Sequence, residues 1–497
     1  MYKVFKWTIL GWFLIFSTST QAEEAYRFEF TSKAFQAYEY SISLQFDKAR
    51  LILNDIKLED PQNLIVHHIE NYIDFFTIFI NENEADFEKL KKNKEERLKE
   101  IRKGDRKSPY YLYSQAEIHL QWALARLKFE EYFTAFSEVS KAYRLLEENQ
   151  FRHPSFIANK KSLGLLHAII GTIPDKYKWG VKLIGGLDGT IDQGCKEIEE
   201  VLAYAQNNTF IFEEETRVVY ALLLLNLKNE REEAWNYIQE TKLEPKQNPL
   251  ASFIFANMAM KIGKNDEAID ILMSRPKGEE FYPFHYLDYM LAKAKLNRLD
   301  DDADLFFHSF ISKYKGKHYI KEAYQKLAWI AILNDDPNAY SEYMEMIKYK
   351  GGHLIDEDKQ AQKEAERGIV PNAKLLKGRL LFDGGYYEEA LTSMEGMNLT
   401  SLSLKDQIEF RYRLGRIYHK SARLQEALSA YQASIDKGEA LPYYYACNAA
   451  LQAGLIYEEL KDYTSARTYF KLCRSMKPEE YKTSLHQKAK SGLQRLP

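Results

Sequence analysis

The stretch Ala449–Pro478, AALQAGLIYEELKDYTSARTYFKLCRSMKP, decides the fold. Gly454 is followed by an aromatic three residues on (Tyr457), a small residue nine further on (Ala466), an aromatic four after that (Phe470) and a proline eight later (Pro478). Small residues at such positions let two helices approach closely, and large ones fill the seam beside them. A single helix pair cannot bury its apolar face alone, so the stretch implies neighbours of the same kind.

Those neighbours are found by using the small residue of the second helix as a ruler. Ala234, Ala268 and Ala303 lie 34 and 35 residues apart, and Ala339 follows after 36. Ala390, Ala427 and Ala466 continue at 37 and 39 after a gap of 51. Each is followed four residues later by a large side chain: Ile238, Leu272, Phe307, Tyr343, Met394, Tyr431 and Phe470. Ala37, Tyr40, Ala49, Leu53 and Pro61 repeat the pattern near the start, and Trp122, Ala123, Ala135 and Val139 form a weaker copy. The spacing is that of a tetratricopeptide repeat, and the chain resembles that family. The resemblance implies an all-α, right-handed superhelix of antiparallel helix pairs, a TPR-like α-solenoid. Composition agrees: only 13 prolines and 23 glycines occur, with long stretches rich in Ala, Leu, Glu and Lys. The 35 tyrosines are read mostly as wedges between helices.

Residues 1–22 read as a signal peptide. Lys3 and Lys6 precede an apolar run from Trp7 to Phe16, and Thr20 and Ala22 are placed for cleavage between Ala22 and Glu23. The run is short for a membrane span, no cysteine follows it for a lipid anchor, and Leu163–Ile173, the best internal candidate, is also too short. The mature chain is expected to be exported, to a bacterial periplasm, without a transmembrane segment. Cleavage removes two lysines and no acids, taking the formal charge from −3 to −5, which argues against a nucleic-acid partner.

The expected layout is a signal peptide (1–22), N-terminal helical repeats with a long charged helix (23–162), a glycine-rich central insertion (163–200), middle repeats (201–350), a polar insertion (351–370) and C-terminal repeats (371–497). Phe87–Lys107, crowded with Lys, Arg and Glu, reads as a solvated helix extension with charge pairs along it, with a basic arm for an acidic partner or an anionic membrane surface as the alternative. Lys350–Arg367 reads as a loop or an extra polar helix. In the centre, Gly171, Gly180, Gly185, Gly186, Gly189 and Gly194 sit among apolar residues with no strand or terminal Lys-Ser/Thr, so short apolar helices with tight turns fit better than a phosphate loop. Asp188 or Thr190 is expected to cap the helix carrying Cys195 and Ile198. Gly164-Leu165-Leu166, Ile173-Pro174, Lys182-Leu183-Ile184-Gly185-Gly186 and Gly189–Gly194 look like the central motif of the Iml2-like tetratricopeptide family. That resemblance implies one helical array with a central insertion and carries over no catalytic residue; the family acts inside cells.

His67, Glu70 and Asp74 share a helix face beside His68, but no metal-binding motif supports them, and they are read as structural. No nucleophile elbow and no cysteine–histidine signature occurs. No catalytic residue, metal or cofactor is therefore expected. Cys447 and Cys473 fall on adjacent antiparallel helices and form a candidate disulfide. Partner-binding candidates lie on the first helices of the C-terminal repeats: Arg379, Phe382, Tyr412, Arg416, His419, Leu455 and Glu458. Arg379, Arg416 and Tyr412 suit an acidic or C-terminal peptide. The function expected is a non-enzymatic scaffold binding a protein or peptide in the cell envelope. The alternatives are a carbohydrate-binding protein resembling SusD, which needs an exposed platform of coplanar aromatics, and an enzyme on a helical toroid, which needs converging carboxylates with displaced pKa values.

Overall fold

The computed structural model describes residues 25–173 and 186–497. The signal-peptide reading, and the Pro174–Gly185 part of the central motif, lie outside them. Every regular element among the described residues is helical.

Among the described residues, nine helical hairpins carry the architecture. Near the N-terminus they are Ser32–Ile42 with Phe46–Glu59 and Pro109–Lys128 with Tyr132–Arg152. Next come Glu213–Leu223 with Arg231–Gln239, Pro249–Lys261 with Asn265–Met273, Tyr286–Arg298 with Ala303–Lys313, and Ile320–Leu333 with Pro337–Tyr349. The last three are Ala373–Gly384 with Tyr387–Met394, Leu404–Lys420 with Leu424–Gly438, and Tyr444–Glu459 with Tyr463–Ser475. Helices of a pair pack on each other, and most second helices pack on the first helix of the following pair, as in a tetratricopeptide solenoid.

One left-handed residue closes each hairpin: Leu44, Glu130, Asn229, Gly263, Leu299, Asp335, Gly385, Ala422 and Lys461. In seven of the nine, the ruler alanine stands five residues after it: Ala49, Ala135, Ala234, Ala268, Ala390, Ala427 and Ala466. All seven are buried at the helix crossing. The fixed turn geometry delivers that position to the seam, and only a small side chain fits there. In the last pair the ring of Phe470 fills the space a side chain at Gly454 would need, 2.6 Å from its Cβ position.

The ruler slips at Ala339. Five residues after Asp335 stands Tyr340, which is buried with Met344, while Ala339 and Tyr343 are half-exposed. The register there runs through Tyr340 and Met344, and the spacing of 36 was one residue too short to show it. Stacking is also not linear. Helix Ala373–Gly384 packs on Tyr286–Arg298, skipping a hairpin. Hairpin 320–349 and helix Asp356–Arg367 form a side branch with a small core of their own, including Tyr340, Met344, Ala361 and Ala365. Gly385, at φ 91°, packs on the turn of hairpin 249–273, its Cβ position only 2.1 Å from the Gly263 carbonyl oxygen.

The charged segment is a helix with charge pairs along it and an exposed outer face, but its inner face is buried. Helix Glu84–Ile101 buries Phe87, Leu98 and Ile101, together with Lys94 and Arg97. Lys94 donates to Glu138 at 2.6 Å, Lys91 to Glu131 at 2.7 Å, and Arg97 to Asp74. These three cations are spent within the fold, while Lys89, Lys92, Lys99, Arg102, Arg106 and Lys107 stay exposed. Helix Asp356–Arg367 is the polar helix anticipated in the insertion. In the centre, Thr190 caps helix Ile191–Ala205 through Oγ1 to the Gln193 N–H at 3.1 Å, and that helix crosses Ala158–Gly171 closely at Gly164 and Gly194. No helix among the described residues is long and apolar enough to cross a membrane.

Candidate functional site

The branch creates a groove of about 520 Å³. Its walls are helix Ile320–Leu333, helix Asp356–Arg367, the first helices of the last three hairpins, and the Glu479–Tyr481 turn. At its centre the indole of Trp329 carries two cations. Lys326 Nζ lies 3.6 Å and the Arg379 guanidinium 4.7 Å from the ring centroid, an arrangement in which the ring's electron-rich face holds the charges in place. The indole is oriented by its N–H donating to Glu364 at 2.8 Å, and Gln325 donates to the other Glu364 oxygen at 2.6 Å. The polar insertion therefore positions the groove's central aromatic. At the rim, Arg367 of the same helix ion-pairs with Glu480 and reaches Glu479 at 3.4 Å.

Charge inside the groove is largely paired. Burial favours the neutral form of Glu322, but Lys293, Lys326 and a hydrogen bond from Tyr289 hold its pKa down at about 2. Glu409 is likewise held at about 2 against burial by Arg413, Lys405 and the Tyr445 hydroxyl at 2.6 Å. Both carboxylates stay ionised at neutral pH, so neither can act as a general acid. Burial lowers Lys326 to about 8, only partly offset by Glu322. Arg379 lines the groove and meets Asp383 only at 3.7 Å, beyond hydrogen-bond reach.

Of the candidates read from the sequence, Arg379 lines this groove. Phe382, Tyr412 and Arg416 meet each other behind it: the Arg416 guanidinium stacks on Phe382 at 4.9 Å and donates to the Tyr412 hydroxyl at 2.8 Å. Tyr412 is buried and also accepts from Asn448 at 2.7 Å. Burial, with Arg416 and Lys420 nearby, lowers the His419 pKa to about 4. Leu455 packs against the C-terminal core, and Glu458 is held by Arg495 at 2.7 and 2.8 Å. Lys326, Trp329, Tyr444 and Tyr481 escaped the sequence reading; the Lys326–Trp329 spacing of one helical turn was the available signal. Tyr444 lies tilted by 40° to Tyr445 and by 74° to Tyr481, so these rings make no flat platform for a sugar.

Elsewhere, the metal-like triad resolves into ion pairs. His67 faces Glu70 at 3.3 Å, Glu70 also binds Lys57, and Asp74 takes Arg97. No cluster among the described residues is arranged to hold a metal. The Cys447 and Cys473 sulfurs lie 3.6 Å apart as unbonded, buried thiols.

A tetratricopeptide-repeat family model matches residues 408–436 and 448–480, covering most of the last two hairpins. The match is to the repeat and does not confirm the Iml2-like resemblance. No curated protein matches the chain. Similar solved structures include yeast Tom70, at 14% identity over 86% of this chain and 89% of that one with a TM-score of 0.31, and the APC/C hetero-tetramer Cut9-Hcn1, at 10% identity over 92% and 96% with a TM-score of 0.26.

Proposed function

We propose, for a chain that carries tetratricopeptide repeats, a non-enzymatic scaffold that holds an extended acidic peptide or a peptide C-terminus in the groove beside Trp329. Export to a cell envelope, as the N-terminal sequence suggests, is part of this proposal. The observation that carries it is the pair of cations fixed on one indole, with Arg379 presenting donors that no neighbouring carboxylate engages within hydrogen-bond distance. A guanidinium held by stacking loses little freedom on binding, so its charge-assisted hydrogen bonds to a carboxylate are made at low entropic cost. Tyr444 and Tyr481 supply apolar walls for the peptide's side chains.

The test is a library of peptides with free or amidated C-termini, read by fluorescence polarisation. Wild type should select free carboxylates or acidic residues. Arg379→Glu should weaken the selected peptides at least about tenfold at unchanged melting temperature. If the folded variant binds them as wild type does, the groove assignment fails.

A further inference from the structure

Cys447 and Cys473 sit behind one wall of the Trp329 groove. Cys447 lies in the first turn of helix Tyr444–Glu459, beside Tyr444 and Tyr445, which line the groove. Cys473 lies in the last turn of helix Tyr463–Ser475, just before the Glu479–Tyr481 turn that forms the rim. Both side chains are buried, and their sulfurs are 3.6 Å apart. The Cys447 thiol donates to the Cys473 carbonyl at 3.3 Å, which holds it against the partner helix. Noncovalent contacts fasten the wall: the Glu479 N–H donates to the Pro442 carbonyl at 2.9 Å, and the Tyr444 and Tyr481 rings meet at 5.0 Å.

A disulfide needs its sulfurs about 2.0 Å apart, an approach that rotation of the two side chains can supply. Access runs past helix Lys482–Arg495, whose Leu485 carbonyl lies 3.8 Å from the Cys473 sulfur. That helix buries little of itself (Leu485, Ala489 and Gly492), and segments with few buried contacts open most easily. A water-sized oxidant fits such an opening.

We propose that Cys447 and Cys473 form a reversible dithiol–disulfide site, oxidised by hydrogen peroxide, whose bond fixes this wall of the groove. One sulfur attacks the peroxide: an S–O bond forms, the O–O bond breaks, and a water leaves with the thiol proton. The second sulfur attacks the resulting sulfenic acid: the S–S bond forms, the S–O bond breaks, and a second water leaves. Two electrons pass from the sulfurs to the peroxide, and a dithiol reductant reverses the bond by exchange. The bond spans 26 residues and so stabilises the last hairpin by restricting the unfolded chain. It also ties together the two helix ends that carry Tyr444, Tyr445 and the rim turn. A wall already held in place loses less freedom when a ligand binds. That consequence for binding rests on the peptide reading of the groove; the bond and its effect on the wall do not.

The test titrates hydrogen peroxide into the full protein, followed by quenching, denaturation, alkylation and mass mapping. Expected is a linked peptide pair holding Cys447 and Cys473, reversed by dithiothreitol, while Cys195, buried in a different core, is still alkylated. The oxidised protein should melt higher, and amide exchange over residues 443–447 and 476–481 should slow at least about threefold. Cys447→Ser should show neither effect of peroxide; if it does not fold, the two redox states of wild type remain decisive. Peptides selected by the groove should dissociate more slowly from the oxidised form. If peptides bind neither form, the peptide reading fails, while mass and exchange still decide the bond and the wall. Two alkylatable thiols after peroxide, a sulfinic acid in place of the bond, unchanged exchange in the bonded protein, or equal peptide dissociation from both forms each overturns the proposal.

Discussion

His68 shows how a single ring can couple this fold to pH. It is buried among Phe30, Tyr72, Tyr113 and Phe212, and neither ring nitrogen makes a hydrogen bond. Burial, reinforced by Lys161, lowers its pKa to about 3. In the unfolded chain the ring titrates near ~6.5. Above that value it is neutral in both states and costs nothing. As pH falls below it, the unfolded state takes up the proton first, so stability drops; the loss reaches about 2 kcal/mol at pH 5 and continues towards pH 3. His419, lowered to about 4, acts in the same direction. Glu70, Glu138, Glu322 and Glu409, each held at about 2, lose their stabilising charge only lower, from the ordinary carboxylate pKa downwards. Urea unfolding of wild type and His68→Phe between pH 7 and 5 separates these contributions. The variant should show a shallower decline, and equal slopes would rule out this role for the ring.

At the scale of the element, helix Glu84–Ile101 teaches that charge in a sequence is not exposure in a fold. Its composition reads as solvated, yet Lys94 and Glu138 have side chains only 3% exposed and bind each other. His119 and Lys94 keep Glu138 ionised against its burial. Removing Lys94 leaves the buried Glu138 charge with only His119 and the more distant Arg126 at 3.8 Å, which costs more than the pair's net contribution. Lys94→Met should therefore lower unfolding free energy by about 3–5 kcal/mol, and the double variant Lys94→Met/Glu138→Gln by distinctly less. A single variant within about 0.5 kcal/mol of wild type would show the pair to be dispensable. The hairpins were legible because their signal is local: an αL turn and a small residue five positions later are set by neighbours in the chain. The partners of a lysine on another helix are not.

Across the whole molecule, two contacts decide shape. The N-terminal repeats close on the middle ones around an apolar cavity, and the C-terminal repeats dock on hairpin 286–313 and the turn at Gly263. At that turn, Gly385→Ala would place a methyl group 2.1 Å from the Gly263 carbonyl oxygen and strain a left-handed backbone. The expected cost is about 1–3 kcal/mol, expressed as faster proteolytic cleavage near residues 262–264 and 384–386. Cleavage unchanged from wild type would mean the two arrays do not depend on this contact.

The sequence by itself determined the helical hairpin and its repetition, since the small-residue ruler follows from turn geometry and close helix approach. It also brought Arg379 to notice, because first helices of such pairs present their side chains inward. Only the tertiary structure decided that the array branches at hairpin 286–313, that Tyr340 rather than Ala339 holds the fourth register, and that Lys326, Trp329 and Arg379 converge. The physical reason is range. A repeat's period records contacts within and between successive pairs, whereas the docking of one array on another depends on surface shape that no period encodes.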